Sequence, residues 1–194
     1  MQDMLVRLYD IPEPSARIAG LHQSGIDLRR AIAPERHVVV SWVRQQFGEA
    51  WASECDVSFA RLPISCFRAQ RGQSVLGFAC YDATAKAFFG PTGVLESERK
   101  HGIGTALLLM ALQAMAAEGY AYAIIGGVGP AEFYAKAVGA VPIAGSTPGI
   151  YAGLLRSGRC PGTGSATRRA TRPRARRSRA PSSPPVPSPR TACT

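Results

Sequence analysis

The sequence predicts an α/β (α+β) chain: a mixed, mostly antiparallel sheet of six to seven strands flanked by about four helices, followed by a disordered basic tail. Three observations predict it. Short apolar runs separated by turns, Ile64–Ala69, Ser74–Tyr81 and Lys86–Val94, read as a three-stranded meander. The last of these feeds a basic, glycine-containing turn, Arg99-Lys-His-Gly102-Ile-Gly104, that opens a long apolar helix, Ile103–Glu118. Charge is also unevenly divided. Residues 1–156 hold 14 Lys and Arg against all 13 acids, whereas residues 157–194 hold nine arginines and no acid. That Arg/Pro/Ser-rich end has almost no large apolar residue with which to offset chain entropy, so disorder is expected there.

The elements follow in order. Met4–Tyr9 reads as a short strand or extended lead-in, and a helix is expected near Ser15–Gln23. Gly25–Ile32 alternates as a strand does. Pro34 starts an amphipathic helix in which Val38, Val39, Trp42, Val43 and Phe47 recur every three to four residues, and Glu49–Arg61 reads as a second helix. After the meander and the long helix, Tyr120–Gly126 is short and apolar, as a buried strand is. Pro130 then opens a helix through Tyr134, since its ring suits the first helical position. Two final strands are expected at Ala140–Ala144 and Gly149–Leu155, around a Ser-Thr-Pro-Gly turn. No internal repeat is present.

A strand leading through glycines into a helix N-terminus is suited to anions. The first-turn N–H groups lack intrahelical partners, the helix dipole adds partial positive charge, and glycines let a phosphate approach the backbone. Which phosphate loop is it? A Walker loop, GxxxxGK[ST], is absent. A dinucleotide fingerprint fails because Leu107 stands at the third glycine position and Ile124 and Ile125 stand near the position of its acid. The pattern [RQ]-x-x-G-x-[GA] is met in full by Arg99, Gly102 and Gly104. It resembles the acyl-CoA loop of the GNAT superfamily of CoA-dependent N-acyltransferases. Phe133-Tyr134 and Gly139 resemble the same superfamily's FYxxxG segment, although Tyr134 lies five residues before the glycine where four is usual. The resemblance covers roughly residues 25–155.

The resemblance implies direct transfer of an acetyl group from acetyl-CoA to a primary amine of a small molecule, peptide or protein. Val94, Arg99, Lys100, Gly102, Ile103, Gly104 and Thr105 would hold acetyl-CoA, and Tyr134 would act as the acid for the departing thiolate. Candidates for contact with the acceptor are Trp51, Glu54 and Asp82; no general base is assigned. An N-terminal extension at 1–24, an acetyltransferase domain at 25–156 and a tail at 157–194 are the expected divisions. The alternatives are a catalytically silent acyl-CoA-binding module and an interaction protein whose tail binds nucleic acid.

Other classes have less support. No apolar run reaches the length needed to span a membrane and no secretory signal is evident, so a cytoplasmic protein without membrane contact is expected, possible as a homodimer. Five cysteines in odd number, without a CxxC pair, point away from a zinc site or a disulfide framework, and no metal is expected. No GxSxG elbow supports a serine hydrolase.

Overall fold

In a computed structural model, residues 2–155 are described, and the expected basic tail lies outside them. Seven strands form one sheet: β1 (Met4–Arg7), β2 (Asp27–Arg30), β3 (Cys66–Arg71), β4 (Ser74–Tyr81), β5 (Phe88–Val94), β6 (Tyr122–Ile125) and β7 (Val141–Pro142). Their order across the sheet is β2-β3-β4-β5-β6-β1-β7. All neighbours are antiparallel except β5 and β6. Five helices cover it: α1 (Ser15–Gln23), α2 (Arg36–Phe47), α3 (Glu49–Ser58), α4 (Ile103–Ala117) and α5 (Ala131–Val138). The mixed, mostly antiparallel sheet flanked by helices is the predicted class.

Alternation along the strands sends side chains to two cores. One face buries Met4, Val6, Phe89, Ile125 and Tyr134 with the apolar face of α4. α4 is buried on most of its circumference, from Ile103 through Leu107 and Leu108 to Met115, as its near-continuous apolar sequence requires. The other face buries Phe78 and Cys80 under Val39, Val40 and Val43 of α2 and Ala52 and Cys55 of α3. Three thiols from sequence-distant positions converge here. The Sγ atoms of Cys55, Cys66 and Cys80 lie within 4.8 Å of one another and are fully buried, and burial, with hydrogen bonds from its two neighbours, pushes the Cys80 thiol up.

Two expectations require correction. Gly149–Leu155 is not a strand: Gly149–Tyr151 is a 3₁₀ turn after Pro148, and Gly149 and Gly153 take φ of +59° and +71°, outside the extended region. The place beside β6 is instead taken by β1, whose Met4 and Val6 bury better than anything in 149–155. Residues 4–7 are therefore a strand of the sheet interior, held on both sides. The second is the helix expected over Glu49–Arg61, which ends at Ser58, while Gly48, at a φ of +91°, separates it from α2 as the reading of two helices requires. Phe47 and Trp51 thus do not share a continuous helix, although their rings stack at 5.2 Å.

Candidate active site

The site begins where two parallel strands part. β5 and β6 pair only at Phe88↔Ile124 and Phe89↔Ile125. Beyond that point β5 stays with β4 through Ala79↔Thr92, Phe78↔Gly93 and Gly77↔Val94. The chain leaving β6 turns away through Gly126 and Gly127, whose N–H donates to Asp3 Oδ1 at 2.8 Å. A fork opens between them. The Leu95 N–H donates to the Leu76 carbonyl at 2.9 Å. By the strand's alternation, the N–H and C=O of Val94 therefore face the open side. The fork is floored on one side by Phe47, whose ring packs on the Cα of Gly93 and leaves no room for a Cβ there.

The basic turn lies at the mouth of this fork. After a 3₁₀ turn at Glu96–Glu98, Lys100 and Gly102 both take left-handed conformations, with φ of +70° and +85°. Alternating conformations of this kind turn successive N–H groups to one side. Gly102 caps α4 without a side chain, so the first-turn N–H groups of Ile103, Gly104 and Thr105 remain for an external acceptor. Gly104 and Thr105 border a cleft of about 600 Å³ that Val94, Arg99, Lys100, Arg17 and Phe133 also line. Val94, Arg99, Lys100, Gly102, Gly104 and Thr105 thus line the cleft, whereas the side chain of Ile103 is buried in the core beneath α4.

Charge at the cleft is arranged for an anion. Glu98 faces it, but Arg71 holds both its oxygens, at 2.7 and 3.1 Å, and keeps the carboxyl below the usual range. Arg99 meets Glu96 at 3.8 Å with both side chains exposed, a pairing too weak to fix it. Lys100 and Arg17 have no ion-pair partner among the described residues. Arg17 had no local signal in the sequence; it reaches the site because α1 packs on α4. Its Nη1 would lie 3.1 Å from a Cβ placed on Gly102. Gly102→Ala should therefore cost about 1–2 kcal/mol through the left-handed backbone and displace Arg17. A thermal melt and an acetyl-CoA titration of the variant check both effects.

Tyr134 sits on α5 against Phe89, ring centroids 6.4 Å apart, at the level where the strands part. It is 7% exposed, and its hydroxyl has no hydrogen-bond partner among the described residues. Burial pushes its pKa up to about 12. The extra residue before Gly139 is absorbed by the helix, which runs to Val138 and ends on Gly139 in the left-handed cap conformation.

The candidate acceptor residues separate. Asp82 is a structural anchor of the turn between β4 and β5: its buried carboxylate accepts from the Ala87 N–H and the Tyr120 hydroxyl, both at 2.7 Å, and pairs with Arg61. Burial would raise this carboxyl, but Arg61, Tyr120 and the Ala87 N–H outweigh burial and hold it below the ordinary range. Such a group stabilises the fold above the unfolded value of about 4, and the contribution is lost as pH falls through the depressed folded value. Asp82→Ala should cost about 3 kcal/mol, because Arg61 is left among the described residues with Glu118 alone, at 3.7 Å, and the Tyr120 hydroxyl and Ala87 N–H lose their acceptor. Denaturant unfolding at pH 7 and pH 3 checks this; the deficit should shrink at the lower pH.

Trp51 stacks on Phe47 and stands at the edge of Phe78, so it belongs to the aromatic wall of the fork, with its indole 37% exposed. Glu54 is one helical turn further along α3, half-buried, and accepts from the Thr84 hydroxyl.

Comparison with known proteins agrees with this architecture. The acetyltransferase (GNAT) family model matches residues 36–139. Among solved structures, the GCN5-related glucosamine N-acetyltransferase region of a fungal multi-domain GH3 β-N-acetylglucosaminidase superposes with a TM-score of 0.59 at 15% identity, over 73% of this chain and 19% of that one. A GCN5-related N-acetyltransferase from Sphaerobacter thermophilus superposes with a TM-score of 0.52 at 18% identity, over 73% and 48% of the two chains. The chain thus spans less than half the length of either, and at these identities the likeness is one of fold. No curated protein sequence matches the chain. With the family model covering more than half of its residues, the chain belongs to the GNAT acetyltransferase family.

Proposed function

We propose that the protein transfers the acetyl group of acetyl-CoA directly to a primary amine. The observation that carries this reading is the fork between β5 and β6 opening onto the cationic, uncapped N-terminus of α4. The residues present fit acetyl-CoA. The first-turn N–H groups, Arg99, Lys100 and Arg17 offer positive charge to a diphosphate. A Cβ on Gly104 would touch only Val94, at 3.6 Å, so the space above this glycine is available to a ligand.

Acetyl-CoA supplies an activated acetyl thioester. Val94 pairs through its exposed N–H and C=O with the amide-bearing arm of the donor, as a strand would, which aims the thioester at the narrow end of the fork. There Tyr134 presents its hydroxyl. At a pKa of about 12 it stays protonated at every working pH. It is first a hydrogen-bond donor to the developing thiolate, and its proton passes to sulfur as the C–S bond breaks, replaced from the reacting nitrogen. The closed walls of the fork, Phe47 on one side and Phe89 with Tyr134 on the other, limit water at the thioester.

The test is calorimetric titration of the full chain with acetyl-CoA, followed by thiol release on addition of amines. Micromolar binding with amine-dependent release supports the reading. Binding without release would leave an acyl-CoA-binding module, and no binding by the folded protein would remove the donor site.

A further inference from the structure

The face of the fork opposite Tyr134 carries a second polar constellation. Phe88 and Phe89 are consecutive on β5 and so point to opposite faces. Phe89 meets Tyr134. Phe88 meets the end of Tyr151, whose hydroxyl lies directly over Gly126: a Cβ on that glycine would be 2.7 Å from the Tyr151 oxygen and 2.9 Å from the Phe88 ring. Two tyrosines, from α5 and from the 3₁₀ turn at Gly149–Tyr151, thus flank the point where β5 and β6 part.

Around Tyr151 the charge is negative. Its hydroxyl meets that of Thr84, and burial, followed by the carboxylates of Glu54 and Asp3, pushes its pKa up. Thr84 in turn donates to Glu54. Asp3 accepts the Gly127 N–H with one carboxylate oxygen, and its backbone N–H donates to the Ser146 hydroxyl. Glu54 is half-buried, and it has no cationic partner among the described residues. On the far side of the same fork stands Tyr134, a residue more than nine-tenths buried whose hydroxyl has no hydrogen-bond partner among the described residues. One face therefore offers a carboxylate lacking a cation, the other a hydroxyl lacking an acceptor. A thioester between them would have its leaving sulfur beside the hydroxyl and its open carbonyl face toward the carboxylate.

We infer that Glu54 is the catalytic base and the acceptor-binding carboxylate of the reaction proposed above, with Tyr151 and Thr84 positioning it. The acceptor it selects is an aliphatic ammonium with no carboxylate beside it. The inference rests on the acetyltransferase reading. An incoming R–NH₃⁺ pairs with Glu54 and gives it one proton. The freed nitrogen lone pair attacks the thioester carbon; the C–N bond forms, the C–S bond breaks, and the second nitrogen proton reaches sulfur by way of Tyr134. The products are the amide and CoA thiol, and the proton on Glu54 returns to solvent along the Thr84 and Tyr151 hydroxyls. An α-amino acid would bring its own carboxylate against Glu54 and Asp3, so it is rejected by repulsion.

The test uses the full chain, acetyl-CoA and three probe amines: 1,4-diaminobutane, Nα-acetyl-lysine amide and glycine. Thiol release is expected with the first two, and with glycine at least about tenfold more slowly. Glu54→Gln should lower kcat/KM for diaminobutane by about 10²-fold with acetyl-CoA affinity unchanged, and Glu54→Asp should recover part of it. Tyr151→Phe should raise the KM for amine more than it lowers kcat, as a positioning residue does. Near-normal turnover by Glu54→Gln, a preference for glycine, or release with none of the three amines would overturn the assignment. Failure of the wild-type protein to bind acetyl-CoA would overturn the transferase reading itself, and the calorimetry distinguishes that result from the others.

Discussion

Gly104→Glu should weaken acetyl-CoA binding by at least about 10²-fold while leaving the fold as stable as before, or slightly more so. Gly104 lies in the first turn of α4, and a Cβ there would make only an ordinary contact with Val94, at 3.6 Å. Replacing a helical glycine gains up to about 1 kcal/mol of propensity, and a carboxylate at a helix N-terminus gains a further ~0.3–1 kcal/mol from the dipole. The same carboxylate occupies the position where a diphosphate would meet the first-turn N–H groups. Binding and stability should thus move in opposite directions. Gly104→Ala separates charge from bulk: it should keep stability and lose less affinity. Titration calorimetry and thermal melting of the two variants check the prediction, and a Gly104→Glu protein that binds normally would show that α4 does not receive the diphosphate.

Tyr134→Phe should lower turnover by about 10²-fold with little change in acetyl-CoA affinity. It should not destabilise the protein. The ring is buried, but the hydroxyl makes no hydrogen bond among the described residues, so phenylalanine keeps the packing against Phe89 and loses no bond. Its pKa near 12 has a second consequence. The phenol keeps its proton through pH 9–10.5, so kcat should show no falling limb there from this group. Stability follows the sign of a raised pKa: it is unaffected below the unfolded value of about 10 and declines as pH rises toward 12. Near-normal turnover by Tyr134→Phe would remove Tyr134 from the chemistry, and a kcat limb near 10 that disappears in this variant would show that its phenol titrates in the ordinary range.

How far the sequence reveals this depends on whether an element carries its own signal. The strand at Ser74–Tyr81 and the helix from Ile103 were legible to the residue, or nearly so, because apolar runs bounded by glycine and turn residues specify them locally. The basic turn before α4 was legible because its glycines and basic residues are contiguous. What sequence distance hides was missed. Arg17 reaches the cleft from a helix some eighty positions upstream, and the convergence of Cys55, Cys66 and Cys80 arises from strand register and helix packing, which no CxxC spacing encodes. Asp82 illustrates the reverse error: an acid at a turn is visible, but only packing shows that Arg61 and Tyr120 have claimed it. Tyr151 was read as part of a strand, and the turn that carries its hydroxyl onto Gly126 depends on positive-φ glycines that the apolar pattern conceals.

The first strand of this sheet in chain order is among the last that can find its place. Met4 pairs with Ile125 and Leu5 with Val141, so β1 must wait, unpartnered, until nearly the whole domain has been synthesised. Closing so long a loop is slow, and until it closes β6 and β7 each present an open edge to other chains. Assembly should therefore proceed from the β2–β5 meander outward, with the sheet sealed at the end by β1. Deleting or disrupting residues 4–7 would then be felt as misassembly and aggregation during synthesis, even though the fork and its cationic helix lie in parts of the chain the change never touches.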